Sequence, residues 1–295
     1  SLATPSFTIP QESFLHQAAE MFPSCKEQIL EIGAHQSLSF VYMEQPEHTR
    51  VRGLFQPQFT RAAINQFRPR LQKIVSEMLD KINPQNQVEL RYEFAEPFAI
   101  RALREYMWPP KFDGELFFLW VDALLAIRSQ SMISDPQGTI EHYLKLNEAV
   151  LDYIRSIVID RRINPSNDLL SHWIKTAFDE NDEQPERMLL ENLKVIIVAG
   201  IVTTPNSIIN TIRLLCAHPE QFEEVKANLN LVPQAFKESL RHSATVQMTY
   251  RRAAKDFEIH GVEIHANDNI GLCLGAANRD PRIFESPHIF NIHRK

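Results

Sequence analysis

Two short constellations in this chain carry side chains capable of chemistry. The first lies in VIIVAGIVTTPNSI, Val195 to Ile208, where an apolar run meets Gly200, Thr203, Thr204 and Pro205 within two turns. Gly and Pro are the poorest residues for a helix interior, and adjacent threonines add β-branching. Pro205 has no N–H to give the Ile201 carbonyl, Gly200 opens the backbone to close approach, and the Thr203 hydroxyl can donate or accept a hydrogen bond. The result is a polar notch in an apolar helix. It is either a kinked core helix whose hydroxyls bond back to carbonyls one turn earlier, or a surface that receives a ligand. The second constellation is Glu238 and Arg241, three apart in ESLR and so on one helix face. On a surface that pair is worth about 0.2–0.5 kcal/mol; its chemistry changes if it is buried. A third feature is electrostatic. Between Glu47 and Glu77 there is no acid, while Arg50, Arg52, Arg61, Arg68, Arg70 and Lys73 fall there. That stretch is a solvated helix face or a docking surface for an acidic partner. It has no interleaved aromatics and no recognition motif, which argues against nucleic acid.

The elements that must position these residues are mostly helical. Ile64, Phe67, Leu71, Ile74, Val75, Met78, Leu79 and Ile82 form one apolar stripe, ended at Asn83-Pro84. Leu116–Ile127 and Leu144–Ile163 repeat the pattern, and Asn164-Pro165-Ser166-Asn167 breaks the chain and offers a cap to the next helix. Asp179 to Glu186 reads as an acidic loop. Leu189–Cys216 reads as one long helix crossing the core, stopped at His218-Pro219, and Pro233 opens a helix running to about His242. The period changes only in the last quarter. Phe257, Ile259, Val262 and Ile264 flank His260-Gly261 as a hairpin, and Ile270, Leu272 and Leu274 alternate as a further strand. The fold class is mainly α with a small late β element.

Composition bounds the rest. The 295 residues carry a formal charge of −6, with 44% hydrophobic and 23% charged residues, ordinary for a globular protein. The clean apolar run Val195–Val202 is too short to span a bilayer, so no membrane partner is expected, and the N-terminus lacks a signal-peptide pattern. Cys25, Cys216 and Cys273 have no paired spacing, which argues against a disulfide scaffold or zinc module and points to the reducing cytoplasm. Phe117, Phe118, Trp120 and Trp173 read as core aromatics.

Past Arg241 the text becomes specific: YRRAAKDFEIHGVEI, then GAANRDPRIFESPHIFNIHR. The chain resembles the bacterial cytochromes P450, heme-thiolate monooxygenases. PEHTRVR (Pro46–Arg52) resembles that family's C-helix motif, AGIVTT (Ala199–Thr204) its oxygen-groove motif, Glu238–Arg241 its ExxR pair, and Arg251 its heme-propionate arginine. The motifs come in the family's order and cover nearly the whole chain, most clearly from Ser37 onward. The resemblance implies one P450-like domain over 1–295, heme as cofactor, and insertion of oxygen into a small hydrophobic substrate. It implies an electron donor of the ferredoxin or flavodoxin type, which the Arg50–Lys73 stretch would face. His48, Arg52 and Arg251 would bind heme propionates. Glu238 and Arg241 would form an internal ion pair behind the heme. Ala199 and Gly200 would let the helix approach the iron, with Thr203, followed by Thr204, hydrogen-bonding dioxygen or a proton-delivering water.

Two departures from the family pattern generate a competing reading. Val202 stands where the family usually has an acid beside the groove threonine. The glycine-rich loop with the cysteine ligand does not occur before Lys295, so no metal ligand is assigned, and both ends are expected to be incomplete relative to the family. The alternative to a monooxygenase is therefore a heme-free protein of the same fold, acting as a binding or scaffold module without redox activity.

Overall fold

The computed structural model describes residues 7–8, 15, 18–83, 85, 87–107, 113–127, 129–177 and 185–294. Its helices, in chain order, are α1 (Lys26–Gln36), α2 (Glu47–Phe55), α3 (Arg61–Leu79), α4 (Glu96–Met107), α5 (Gly114–Ala126), α6 (Gln130–Ser134), α7 (Pro136–Ile163), α8 (Leu169–Ala177), α9 (Pro185–Ala217), α10 (Pro219–Ala227), α11 (Val232–His242) and α12 (Leu274–Ala277). The strands are β1 (Phe7–Thr8), β2 (Met248–Ala253), β3 (Phe257–Ile259), β4 (Val262–Ile264) and β5 (Asn269–Cys273). The chain divides into two compact units: Ile9–Glu77 with Ile100–Ala199, and Ser1–Thr8 with Met78–Ala99 and Gly200–Lys295.

The first unit is helical and packs around large apolar side chains. Trp173, Phe117, Ile140 and Ile154 are fully buried, and Trp120 and Tyr143 nearly so. Trp173 of α8 lies 5.2 Å from the Phe55 ring of α2, and its indole N–H donates to Gln58 Oε1 at 3.2 Å. The polar handle of the ring is thus satisfied, as burial of an indole requires. Phe118 is only half-buried, unlike the other three aromatics read as core.

Local chemistry sets the helix ends. The Leu144–Ile163 stripe is the C-terminal part of α7, which starts at Pro136, because Asp135 Oδ1 accepts from Gly138 N at 2.9 Å and Pro136 sits in the first turn. The weak helix formers Gly138 and Thr139 hid that start. Gly138 is required there: a Cβ would stand 2.2 Å from Asp135 Oδ2. The cap of α8 is Asp168, rather than a residue of 164–167: its Oδ1 accepts from Ser171 N at 2.8 Å, and Arg161 Nε holds Oδ2 at 2.7 Å. Most of the acidic stretch from Asp179 lies outside the described residues, and Pro185 and Glu186 already belong to α9.

The second unit holds the β structure. β2 pairs antiparallel with both β1 and β5, giving the order β1-β2-β5, and Arg251 stands opposite Ile270. β3 and β4 form the expected hairpin, with His260 at φ 52° and Gly261 at φ 80°. Two consecutive residues with positive φ match the right-handed strand twist in a two-residue turn. β2 itself escaped the sequence reading, since TYRRA has no clean alternation. A separate apolar cluster joins Leu214 and Leu215 of α9 to Val225, Ala235, Phe290 and Ile292.

Helix α9 runs unbroken through Pro205. It is long and apolar enough to cross a membrane by length and composition, with mean hydropathy 1.6 over its most apolar 18 residues, a length the run Val195–Val202 alone does not reach. The same helix carries buried Glu191, Asn192 and Lys194, whose hydrogen bonds lie within the protein. Those contacts mark a core helix.

Trp173→Ala removes the largest fully buried contact on α8. The expected cost is about 3–5 kcal/mol, read from the urea midpoint of the first unit's unfolding transition; a loss below about 1 kcal/mol contradicts the packing role.

Candidate functional site

The Glu238–Arg241 pair is buried, and every donor on the arginine is used. Arg241 Nε donates to Glu238 Oε2 at 2.8 Å and Nη2 to Oε1 at 2.7 Å. The remaining N–H groups go to main-chain carbonyls: Nη1 to Asn278 O at 2.9 Å and Pro287 O at 2.7 Å, Nη2 to Ile289 O at 3.1 Å. A guanidinium has five N–H donors in a fixed fork, and all five are matched. The carboxylate also accepts from Asn291 N at 2.9 Å and from Arg294 Nε at 3.2 Å. Burial alone would raise the Glu238 pKa, but the hydrogen bonds from Arg241, Asn291 and Arg294 outweigh it and hold the carboxyl below its ordinary value.

The segment that supplies those carbonyls is fastened independently. Gln221 Nε2 donates to Phe290 O at 2.9 Å while its Oε1 accepts from Ile292 N at 2.8 Å. Arg279 Nη2 donates to His242 O at 2.7 Å. His242 is held below its ordinary pKa by burial and by the nearby cations Arg279 and Arg241. The roles of Gln221, Arg279, Asn291 and Arg294 lay beyond sequence reasoning. The only available signal was the density of Asn, Arg and His in NRDPRIF and FNIHR.

The notch in α9 is a set of doubly used carbonyls. Asn206 Nδ2 donates to Val202 O at 2.9 Å and Ser207 Oγ to Thr203 O at 2.8 Å, both just after the donor missing at Pro205. Back-bonding is thus made by Asn206, Ser207 and Thr211, the last donating to Ser207 O at 2.8 Å. Ala199 is exposed, while Gly200, Val202, Thr203 and Thr204 are half-buried. Only 22% of the helix's most apolar 18-residue window is buried. The rest is mostly half-buried, and within residues 195–205 only Ala199 is exposed.

The residues expected to meet carboxylates have a donor chemistry that fits. Arg52, on α2, is exposed and makes no ion pair or hydrogen bond among the described residues. His48 Nδ1 accepts from Gln45 Nε2 at 3.2 Å, and neighbouring Arg50 is taken by Glu47 at 2.8 Å. Arg251, on β2 in the other unit, donates to Tyr250 O at 2.6 Å. Among the described residues no group of His, Cys, Asp and Glu could hold a metal ion. Cys25 is buried, and Cys216 and Cys273 are exposed and solitary. Arg52 and Arg251, each in its own unit, thus have a donor chemistry that suits carboxylates.

A buried ionic group on the first half of α9 was also missed. Lys194 Nζ meets Glu191 Oε2 at 2.8 Å, and Arg187 Nε reaches Glu191 Oε1 at 3.1 Å. Burial lowers the Lys194 pKa against the opposing pull of Glu191, and its ammonium stands 5.5 Å from the Trp120 ring. The charges of LLENLK inside an apolar helix were the available signal.

The cytochrome P450 family model matches residues 110–294. The polyketide biosynthesis cytochrome P450 PksS of Bacillus subtilis strain 168 is 31% identical over 91% of this chain and 66% of its own length. The biotin biosynthesis cytochrome P450 of the same organism is 30% identical over 88% of this chain and 64% of its own. Among solved structures, P450BioI in complex with an acyl carrier protein ligated to hexadec-9Z-enoic acid superposes with a TM-score of 0.83 at 26% identity, over 98% of this chain and 72% of that one. The fold and the ExxR pair define a mainly helical P450-type protein. The chain belongs to the cytochrome P450 family, and spans about two thirds of the length of these relatives.

Breaking one half of the buried pair leaves the other charge uncompensated. Glu238→Gln and Arg241→Lys are each expected to destabilise the second unit, the former by about 3–5 kcal/mol. Because the folded-state pKa of Glu238 is depressed, its contribution is fully present above the ordinary value of 4.5 and is lost as pH falls through the lower folded-state value. Acid unfolding curves of the wild type should show that loss and those of Glu238→Gln should lack it; identical acid limbs would contradict the assignment.

Proposed function

We propose that the whole protein, a single P450 domain, is a heme-dependent monooxygenase acting on a small hydrophobic substrate in the cytoplasm. Electrons would come from a ferredoxin- or flavodoxin-type donor that meets the cationic stretch Arg50–Lys73. The observation that carries this reading is the saturated Glu238–Arg241 network in a chain of this family, together with the polar notch in α9. A relative crystallised with myristic acid, 28% identical to this chain, supports a hydrophobic substrate class. Heme, when bound, supplies the iron centre at which oxygen is reduced. As in the family it resembles, His48, Arg52 and Arg251 would donate hydrogen bonds to its carboxylates, charge-assisted ones from the two arginines. Ala199 and Gly200 keep the helix surface low. Thr203 and Thr204 hold hydroxyls where a water can be oriented and a proton passed. Val202 cannot relay a proton, so transfer at the notch depends on the threonine hydroxyls and solvent.

The Val202 position favours a second reading, a heme-free binding module. The two separate spectroscopically. The whole protein, reduced under carbon monoxide, is expected to show the thiolate-heme absorbance, and Arg52→Ala with His48→Ala to retain less heme. A stable colourless protein that gains nothing from added heme supports the binding module instead. In the loaded enzyme, Val202→Asp should raise product formed per electron pair consumed by about tenfold, at the low side of general acid–base contributions, and Thr203→Ala should lower it. An unchanged ratio in both variants removes the notch from proton delivery.

A further inference from the structure

The first unit contains a concavity of about 580 Å³ between α3, α4 and the turn before α8, which takes in Arg70 and Lys73 from the far end of the cationic stretch. Four cations line it: Arg70 and Lys73 from α3, Arg101 and Arg104 from α4. Of their acidic neighbours, Asp168 is committed elsewhere and Glu77 compensates Arg101, which leaves Arg70, Lys73 and Arg104 facing Glu105. Asp168 is occupied by Arg161 at 2.7 Å and by its helix cap, and Glu77 is held by Arg101. The contacts of Arg70 to Glu105 and of Lys73 to Glu77, at 3.8 and 3.9 Å, are too long for hydrogen bonds.

Arg104 is the exception in this chain. Its Nε is shut off from solvent and has no hydrogen-bond partner, and the guanidinium joins no ion pair among the described residues. Nε is closed to an entering molecule as it is to water, but the Nη groups are not so enclosed and have no partner among the described residues. With Arg70 and Lys73 beside them on the same wall, they suit an anion. An adjoining concavity of about 420 Å³ shares Arg70, Glu105, Asn167 and Asp168, and adds Phe67, Tyr106 and His172. It offers rings against which an uncharged moiety can lie.

We propose that this pocket binds a small phosphorylated molecule, with Arg104, Arg70 and Lys73 on the phosphoryl oxygens and the body of the ligand in the adjoining aromatic recess. A fork of N–H donors suits phosphate, and the combined space is in the range of small-molecule sites. The concave shape favours a small anion over the flat face of an acidic protein.

The test is calorimetric titration of the full chain with inorganic pyrophosphate, with a polyglutamate peptide as the competing class. Saturable one-site binding of pyrophosphate is expected. Arg104→Gln should weaken it about tenfold or more, the loss of one charge-assisted contact, and Arg104→Lys by less. Glu105→Gln, which removes an acid from the pocket, should tighten it severalfold, and Arg68→Gln, an exposed cation on α3 outside the pocket, should leave it unchanged. Circular dichroism of each variant checks the fold. Absence of saturable binding, an equal loss in Arg68→Gln, or Arg104-dependent binding of polyglutamate without pyrophosphate binding each overturns the proposal.

Discussion

A buried guanidinium is tolerable only if every one of its N–H groups finds an acceptor, and that requirement organises the second unit. Arg241 spends two donors on Glu238 and three on carbonyls of the segment 278–289. A helix of ordinary composition thereby becomes the post to which an irregular segment is tied. The arrangement does not rest on net attraction, since desolvation of two charges consumes much of the Coulomb energy. It rests on the cost of any alternative. A shifted segment would strand donors in a dry interior, so one conformation of residues 278–294 is selected out of many. Gln221 and the cluster around Phe290 then act on a path that is already fixed.

The long helix α9 shows the converse economy. Its polar residues sit in the protein and its apolar ones are left partly open. Asn192 accepts from Phe40 N at 2.9 Å and donates to Leu38 O and Met188 O, so the amide pins a neighbouring loop. Further along, Asn206 and Ser207 add second bonds to the carbonyls of Val202 and Thr203. Between those polar anchors lies an apolar stretch that is buried along Leu193, Ile197 and Ile201 and comes to the surface at Ala199.

Much of this was legible in the sequence, for identifiable reasons. The long helix, its stop at His218-Pro219, the hairpin at His260-Gly261 and the α11 start near Pro233 follow from periodicity and from residues with restricted φ, both local properties. The Glu238–Arg241 pair was visible as an i, i+3 spacing, and the motif order led to the family. The start of α7 was obscured because a side-chain cap, and not hydrophobic pattern, begins it. The α8 cap fell one residue beyond the segment expected to supply it. The cationic stretch read as one surface is split by the structure: Arg50 is paired on α2, while Arg70 and Lys73 line a pocket completed by Arg101 and Arg104 of α4, far along the chain. No local pattern reports a pocket whose walls are distant in sequence.

The acceptors around Arg241 also set which positions are free to drift. Three of its five partners are carbonyl oxygens, at Asn278, Pro287 and Ile289, and a carbonyl is present whatever the side chain. Even a proline, which has lost its N–H, serves. The lock therefore constrains two side chains strictly and the path of the main chain around them, while leaving the residue types along much of that path to other demands. Related chains could diverge widely between 278 and 289 and still close the same lock, provided a glutamate and an arginine remain three residues apart on the helix that holds it.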